Sequence, residues 1–155
     1  MESPDSGGSI VSGPILDGMA YDDLVRLMET SHIVAIITRR SNGTPLATPI
    51  AVVVIDGVPY VRSAYGQDSW WYRHAISGRQ VAFAMGSGSV AERDRDEALR
   101  LPAEVVRAEH VAAGDPALSL VSAAISKKYA GEAGATQMVS ERAVAATLRI
   151  LPADA

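Results

Sequence analysis

The sequence predicts an α+β domain built on a small, mostly antiparallel β-barrel of about six strands with three flanking helices. Short β-branched runs are separated by Asn42-Gly43 and Asp56-Gly57, the dipeptides that supply positive φ angles in tight hairpins. Val52, Val53, Val54 and Ile55 are apolar without alternation, so both faces of their strand must be covered, as inside a barrel or at a barrel–helix junction. Between the runs lie three segments with helical spacing or helix-start chemistry.

Taken in order, residues 1–14 are rich in Ser, Gly and Pro and lack a basic start or an apolar run. They read as a disordered tail before a single domain over 15–155. Ala20 to Thr30 places Leu24, Leu27 and Met28 on one helical face, with Asp22 and Asp23 near the positive end of the dipole. Ile33 to Thr38 is a strand, Ser41 to Thr44 a hairpin turn, Leu46 to Ile55 a second strand and Val58 to Arg62 a third. Asp68 is positioned to cap a helix over Ser69 to Ser77, with Gly78 at its left-handed end.

The strand Gln80 to Gly86 turns Val81, Phe83 and Met85 one way and Ala82 and Ala84 the other. That small-residue face suits a dimer interface or a planar ligand. Ser87 to Glu97, with its run of alternating charge, reads as a solvated turn, and Gly86-Ser87-Gly88-Ser89 as flexible within it. Leu101 to Val111 is a further strand. Gly114-Asp115-Pro116 then opens a helix with Leu118, Val121, Ile125 and Tyr129 on one face and Lys127 and Lys128 in its last turn. Val144 to Leu151 closes the fold.

Composition narrows the function. No cysteine is present, which excludes a disulfide framework, a thiolate metal site and a cysteine nucleophile, and points to the cytoplasm. The net charge is −4 with both signs interspersed, which argues against a nucleic-acid footprint, and no apolar run is long enough for a membrane span. His32, His74 and His110 lack metal-ligand spacing, so no metal site is expected. No Gly-x-Ser-x-Gly elbow occurs.

One segment stands out. Aromatic residues make up 5% of the chain, yet Tyr65, Trp70, Trp71 and Tyr72 crowd into a few positions. The run from Tyr60 to Arg73 passes from a strand end through a tight loop to a helix start, the geometry in which anions are held. Arg62, Ser63 and Arg73 supply donors, and Gly66 permits close backbone approach. The alternative is that the arginines are surface charges and the aromatics core; clustering sets a phosphate or cofactor site beside it. Trp70 and His74, four apart, read as packing.

The stretch Thr48 to Met85, TPIAVVVIDGVPYVRSAYGQDSWWYRHAISGRQVAFAM, resembles the domain of unknown function 2255 family within the flavin-nucleotide-binding split barrels. ISKKYAG at 125–131 and ATLRILPA at 146–153 resemble that family's closing helix and strand. The resemblance implies a split β-barrel related to pyridoxamine phosphate oxidases and deazaflavin-dependent reductases. It implies that Arg62, Ser63, Gly66, Trp71, Tyr72 and Arg73 hold a cofactor phosphate and that Thr48, Pro49 and Ile50 line its ring. Arg73-His74 replaces the His-Asn pair of the deazaflavin reductases, and the basic set of the phosphate oxidases is missing.

The expectation is therefore a homodimer that binds FMN or the 8-hydroxy-5-deazaflavin coenzyme at the dimer interface and performs redox chemistry on a small molecule, with no catalytic residue nominated. A cofactor-free ligand binder, or a structural dimer, of the same fold is the alternative.

Overall fold

The computed structural model describes residues 14–154, so the expected tail lies outside the described residues except for Pro14, which opens the first helix. Helix α1 (Pro14–Thr30) starts earlier than its apolar spacing shows and seals one side of the barrel with Leu24 and Met28. Strands β1 (Ile33–Arg39) and β2 (Pro45–Ala51) form the expected hairpin, with Gly43 at φ 88°. β3 (Val53–Ile55) and β4 (Val58–Arg62) form the next, with Asp56 at φ 51° and Gly57 at φ 78°.

A 3-10 turn at Gly66–Asp68 leads into α2 (Trp70–Ala75) and then β5 (Val81–Ala84). Two five-residue helices, α3 (Ser89–Arg93) and α4 (Arg95–Leu99), precede β6 (Ala103–His110). Helices α5 (Ala117–Lys128), α6 (Ala135–Met138) and α7 (Glu141–Val144) precede β7 (Thr147–Pro152). The seven strands form one antiparallel sheet in the order β2-β1-β5-β6-β7-β4-β3.

That order makes a barrel. β2 and β3 lie at opposite edges of the sheet yet are separated in the chain by Val52 alone, so the sheet must curl until its edges approach. The strand expected over 46–55 is thus one strand bent at Val52, its two halves pairing with β1 and β4. The bend removes Val52 from both ladders, and α5 replaces the missing partners. Val52 N–H donates to the Tyr129 hydroxyl at 3.0 Å, and Lys128 Nζ donates to Val52 C=O at 2.7 Å. The Tyr129 hydroxyl in turn donates to His32 C=O at 2.8 Å or to Val52 C=O at 3.0 Å.

The unbroken apolar run is explained by the same geometry. Val52 and Val54 face the barrel core with Val34, Ile36, Phe83, Leu148 and Ile150, while Val53 and Ile55 lie under α5 with Val121, Ile125 and Tyr129.

Four local expectations are corrected. The charged run after Ser87 is exposed as expected but helical rather than a turn: Asp94 caps α4 by accepting from Asp96 N–H and Glu97 N–H, and Ala91 and Ala98 pack on Ala35, Ala82 and Ala84. The small-residue face is therefore covered by this chain's own helices and offers neither a dimer interface nor a ligand surface. Gly88 is a packing residue, since a Cβ there would lie 2.6 Å from Ile33 Cγ2 and 2.7 Å from Val34 N. Asp68 caps nothing; it pairs with Arg142 at 2.8 Å, and the N-cap position of α2 belongs to Ser69, whose side chain makes no cap bond.

Candidate functional site

The Tyr60–Arg73 segment folds so that its donors divide. Arg62, at the end of β4, is 2% exposed. Its Nε donates to Thr147 Oγ1 at 2.8 Å, Nη1 to Ser122 Oγ at 2.8 Å and Met138 C=O at 3.1 Å, and Nη2 to Leu118 C=O at 3.1 Å. All these acceptors are neutral, and burial lowers the guanidinium to about 10. Arg62 ties α5, α6 and β7 to the barrel, so the phosphate-holding role expected for it does not fit its surroundings.

Ser63 is likewise buried and donates to Ser69 Oγ at 2.8 Å. Gly66, at φ 77°, makes room for α7, because a Cβ there would meet Arg142 Cγ at 2.5 Å. Tyr72 lies in the main core.

Thr48, Trp71 and Arg73 come together in a different place. They line a cavity of about 700 Å³ between the β1–β2 hairpin, α2, the turn into β5, and α4. Arg40, Arg79 and Arg95 line it too, giving four guanidinium groups with no carboxylate among the described lining residues. Trp70, read as packing with His74, does lie beside the imidazole but is 67% exposed at this cavity, and Arg73 stacks 5.0 Å over its ring. His74 is 8% exposed, with Nδ1 3.4 Å from Thr38 Oγ1 and its ring 6.0 Å from that of Trp70. Burial, then Arg79, Arg40 and Arg73, hold its imidazole below the ordinary 6.5.

Such a donor set fits an anion: convergent guanidinium groups without competing carboxylates are what phosphate or carboxylate recognition requires. The exposed indole offers a surface to a flat ring. Pro49 and Ile50 line another cavity, of about 250 Å³, with Tyr65, Tyr129 and the half-exposed pair His32–Glu132 at 2.8 Å. Neighbouring residues of β2 thus serve separate cavities. The sequence reading missed Arg40, Arg79 and Arg95. Arg40 at the edge of an Asn-Gly hairpin and Arg79 just past Gly78 were detectable as cations flanking turns; Arg95 carried no such signal.

Residues 23–150 match the profile of the DUF2255 family, described as uncharacterised proteins conserved in bacteria. The chain belongs to that family. No curated protein matches it. Among solved structures, this DUF2255 chain is similar to HutZ, the heme storage protein from Vibrio cholerae, at TM-score 0.59 and 14% identity over 84% of this chain and 87% of HutZ. It is also similar to the conserved hypothetical protein Rv2991 from Mycobacterium tuberculosis, at TM-score 0.55 and 17% identity over 96% and 85% of the two chains. Campylobacter jejuni ChuZ matches at TM-score 0.53 and 12% identity over 92% of this chain and 54% of ChuZ. At these identities the likenesses establish a shared split-barrel fold.

Proposed function

We propose that this DUF2255 chain is a cytoplasmic homodimer that binds a planar anionic cofactor, FMN or the deazaflavin coenzyme, in the arginine-lined cavity and supports redox chemistry on a small molecule. The observation that carries the reading is the convergence of Arg40, Arg73, Arg79 and Arg95 on one 700 Å³ space beside an exposed tryptophan, without a facing carboxylate.

In this reading the arginines hold the phosphate and Trp70 lies against the ring, while Thr48 and Trp71 shape the wall between them. When bound, the flavin itself supplies hydride or electron transfer, and the protein orients it. The homodimer part is supported by Tyr65, Trp70 and Ile76, large apolar side chains left exposed shortly before, within and just after α2, which a second copy would cover. The absence of cysteine supports the cytoplasmic part.

The likeness to HutZ favours a second reading, in which the planar anion is haem and the arginines meet its two carboxylates. Titration calorimetry of the dialysed protein with FMN, the deazaflavin coenzyme and haem separates the two, and absorbance spectra identify the bound species. For the correct ligand, Arg73→Ala with Arg79→Ala weakens binding at least tenfold, since each hydrogen bond from a charged donor contributes about 1.5–3 kcal/mol. Unchanged affinity in the double variant refutes the site, and no binding of any of the three leaves a cofactor-free ligand binder.

A further inference from the structure

Inside the same cavity sits one group whose charge is not fixed. His74 projects from α2 into a wall whose other members are permanently ionised or neutral, among them Arg73 on its own helix, Arg79 in the turn toward β5, Arg40 at the β1–β2 hairpin and Arg95 on α4; buried Thr38 on β1 lies behind the ring. No carboxylate lines this wall among the described residues. We propose that His74 is a ligand-contacting residue that takes up a proton when an anion fills this cavity, so that anion binding and protonation are one coupled event. The proposal rests on the reading of the cavity as an anion site.

The argument is electrostatic. With the cavity holding only water, a charged imidazole would sit buried among three guanidinium groups that each repel it, and the neutral form wins. An anion bearing two charges reverses that balance. It offsets the arginine field at the ring and offers the N–H of an imidazolium an ionised acceptor, making a charge-assisted bond that the neutral ring forms more weakly. Trp70, whose ring lies 6.0 Å from the imidazole, shields the pair from bulk water on one side.

Linkage then sets the sign. The complex binds one more proton than the free protein, so affinity rises as pH falls from the pKa of His74 in the complex down to its pKa in the free protein. It is flat outside that window. The gain is about tenfold for each unit by which the anion raises the imidazole. The consequence is a site that selects multiply charged anions more strongly in mildly acidic solution than in alkaline solution.

Sulfate is the suitable probe, because it has no proton to exchange roughly between pH 5 and 8, where histidine titrates. The His74 ring nitrogens are followed by NMR in protein labelled at histidine, with and without saturating sulfate at constant ionic strength. The expected result is an imidazole titrating below a normal histidine in the free protein and moving upward with sulfate, matched by pH-dependent sulfate affinity that His74→Gln makes pH-independent. An unmoved His74 titration under saturating sulfate overturns the proposal, and the wild-type NMR result stands even if the variant is poorly folded. Sulfate-driven protonation without FMN, deazaflavin or haem binding upholds the proposal and refutes the cofactor reading. Cofactor binding with an unmoved His74 does the reverse, and failure of sulfate and every cofactor to bind removes both.

Discussion

Replacing Arg62 by methionine tests the division of the arginines into structural and ligand-facing sets. Four of the five N–H donors of its guanidinium are engaged, all with neutral acceptors on α5, α6 and β7. Hydrogen bonds with one charged partner contribute about 1.5–3 kcal/mol each, so the four give about 6 kcal/mol at the lower figure. Against this stands desolvation of the cation. Burial brings it to about 10, from about 12.5 for a solvated arginine, and at about 1.4 kcal/mol per pKa unit this costs about 3 kcal/mol. The net loss in Arg62→Met is then about 3 kcal/mol, which lowers Tm by roughly 6–12 °C for a chain of this size.

Urea unfolding followed by tryptophan fluorescence measures it, with an unchanged denaturant slope showing that stability alone has moved. FMN, deazaflavin, haem or sulfate affinity, measured well below the new midpoint, is expected to stay within twofold of wild type. A stability loss under about 1 kcal/mol refutes the bonding described for Arg62. Lost ligand affinity at preserved stability returns Arg62 to the ligand site and refutes the assignment to Arg40, Arg73, Arg79 and Arg95.

Tyr129→Phe deprives the buried Val52 N–H of its acceptor at the bend that closes the barrel, and costs about 1–3 kcal/mol in the same unfolding assay. Faster amide exchange at Val52 and its neighbours than in the rest of the sheet would locate the effect. Gly88→Ala drives a Cβ against the backbone of Ile33 and Val34, which cannot yield as a flexible side chain can. A loss of about 1–3 kcal/mol is expected, and a neutral result would show that α3 is not seated on β1 as described.

The sequence alone determined the elements whose cause is local. Asn42-Gly43 and Asp56-Gly57 dictate hairpins because their residues tolerate the positive φ angles observed at Gly43, Asp56 and Gly57. Asp115 opens α5 because its carboxylate accepts from Ala117 N–H at 2.8 Å, an interaction spanning two residues. The unbroken valine run disclosed a strand covered on both faces, and with it the barrel.

Tertiary structure decided what depends on distant partners. Helices as short as α3 and α4 are not stable alone and form because Ala91 and Ala98 find the alanine face of β1 and β5. The kink at Val52 is permitted by Tyr129 and Lys128, more than 70 residues away. Of the residues the sequence singled out, Thr48, Trp71 and Arg73 line the charged cavity and Arg62 does not. An arginine's letter in the sequence is the same whether its guanidinium is held by the hydroxyls and carbonyls of packed elements or lines an open cavity. Only the fold, by placing acceptors around Arg62 and bringing Arg40, Arg73, Arg79 and Arg95 to a cavity with no carboxylate among its described lining residues, separates the two.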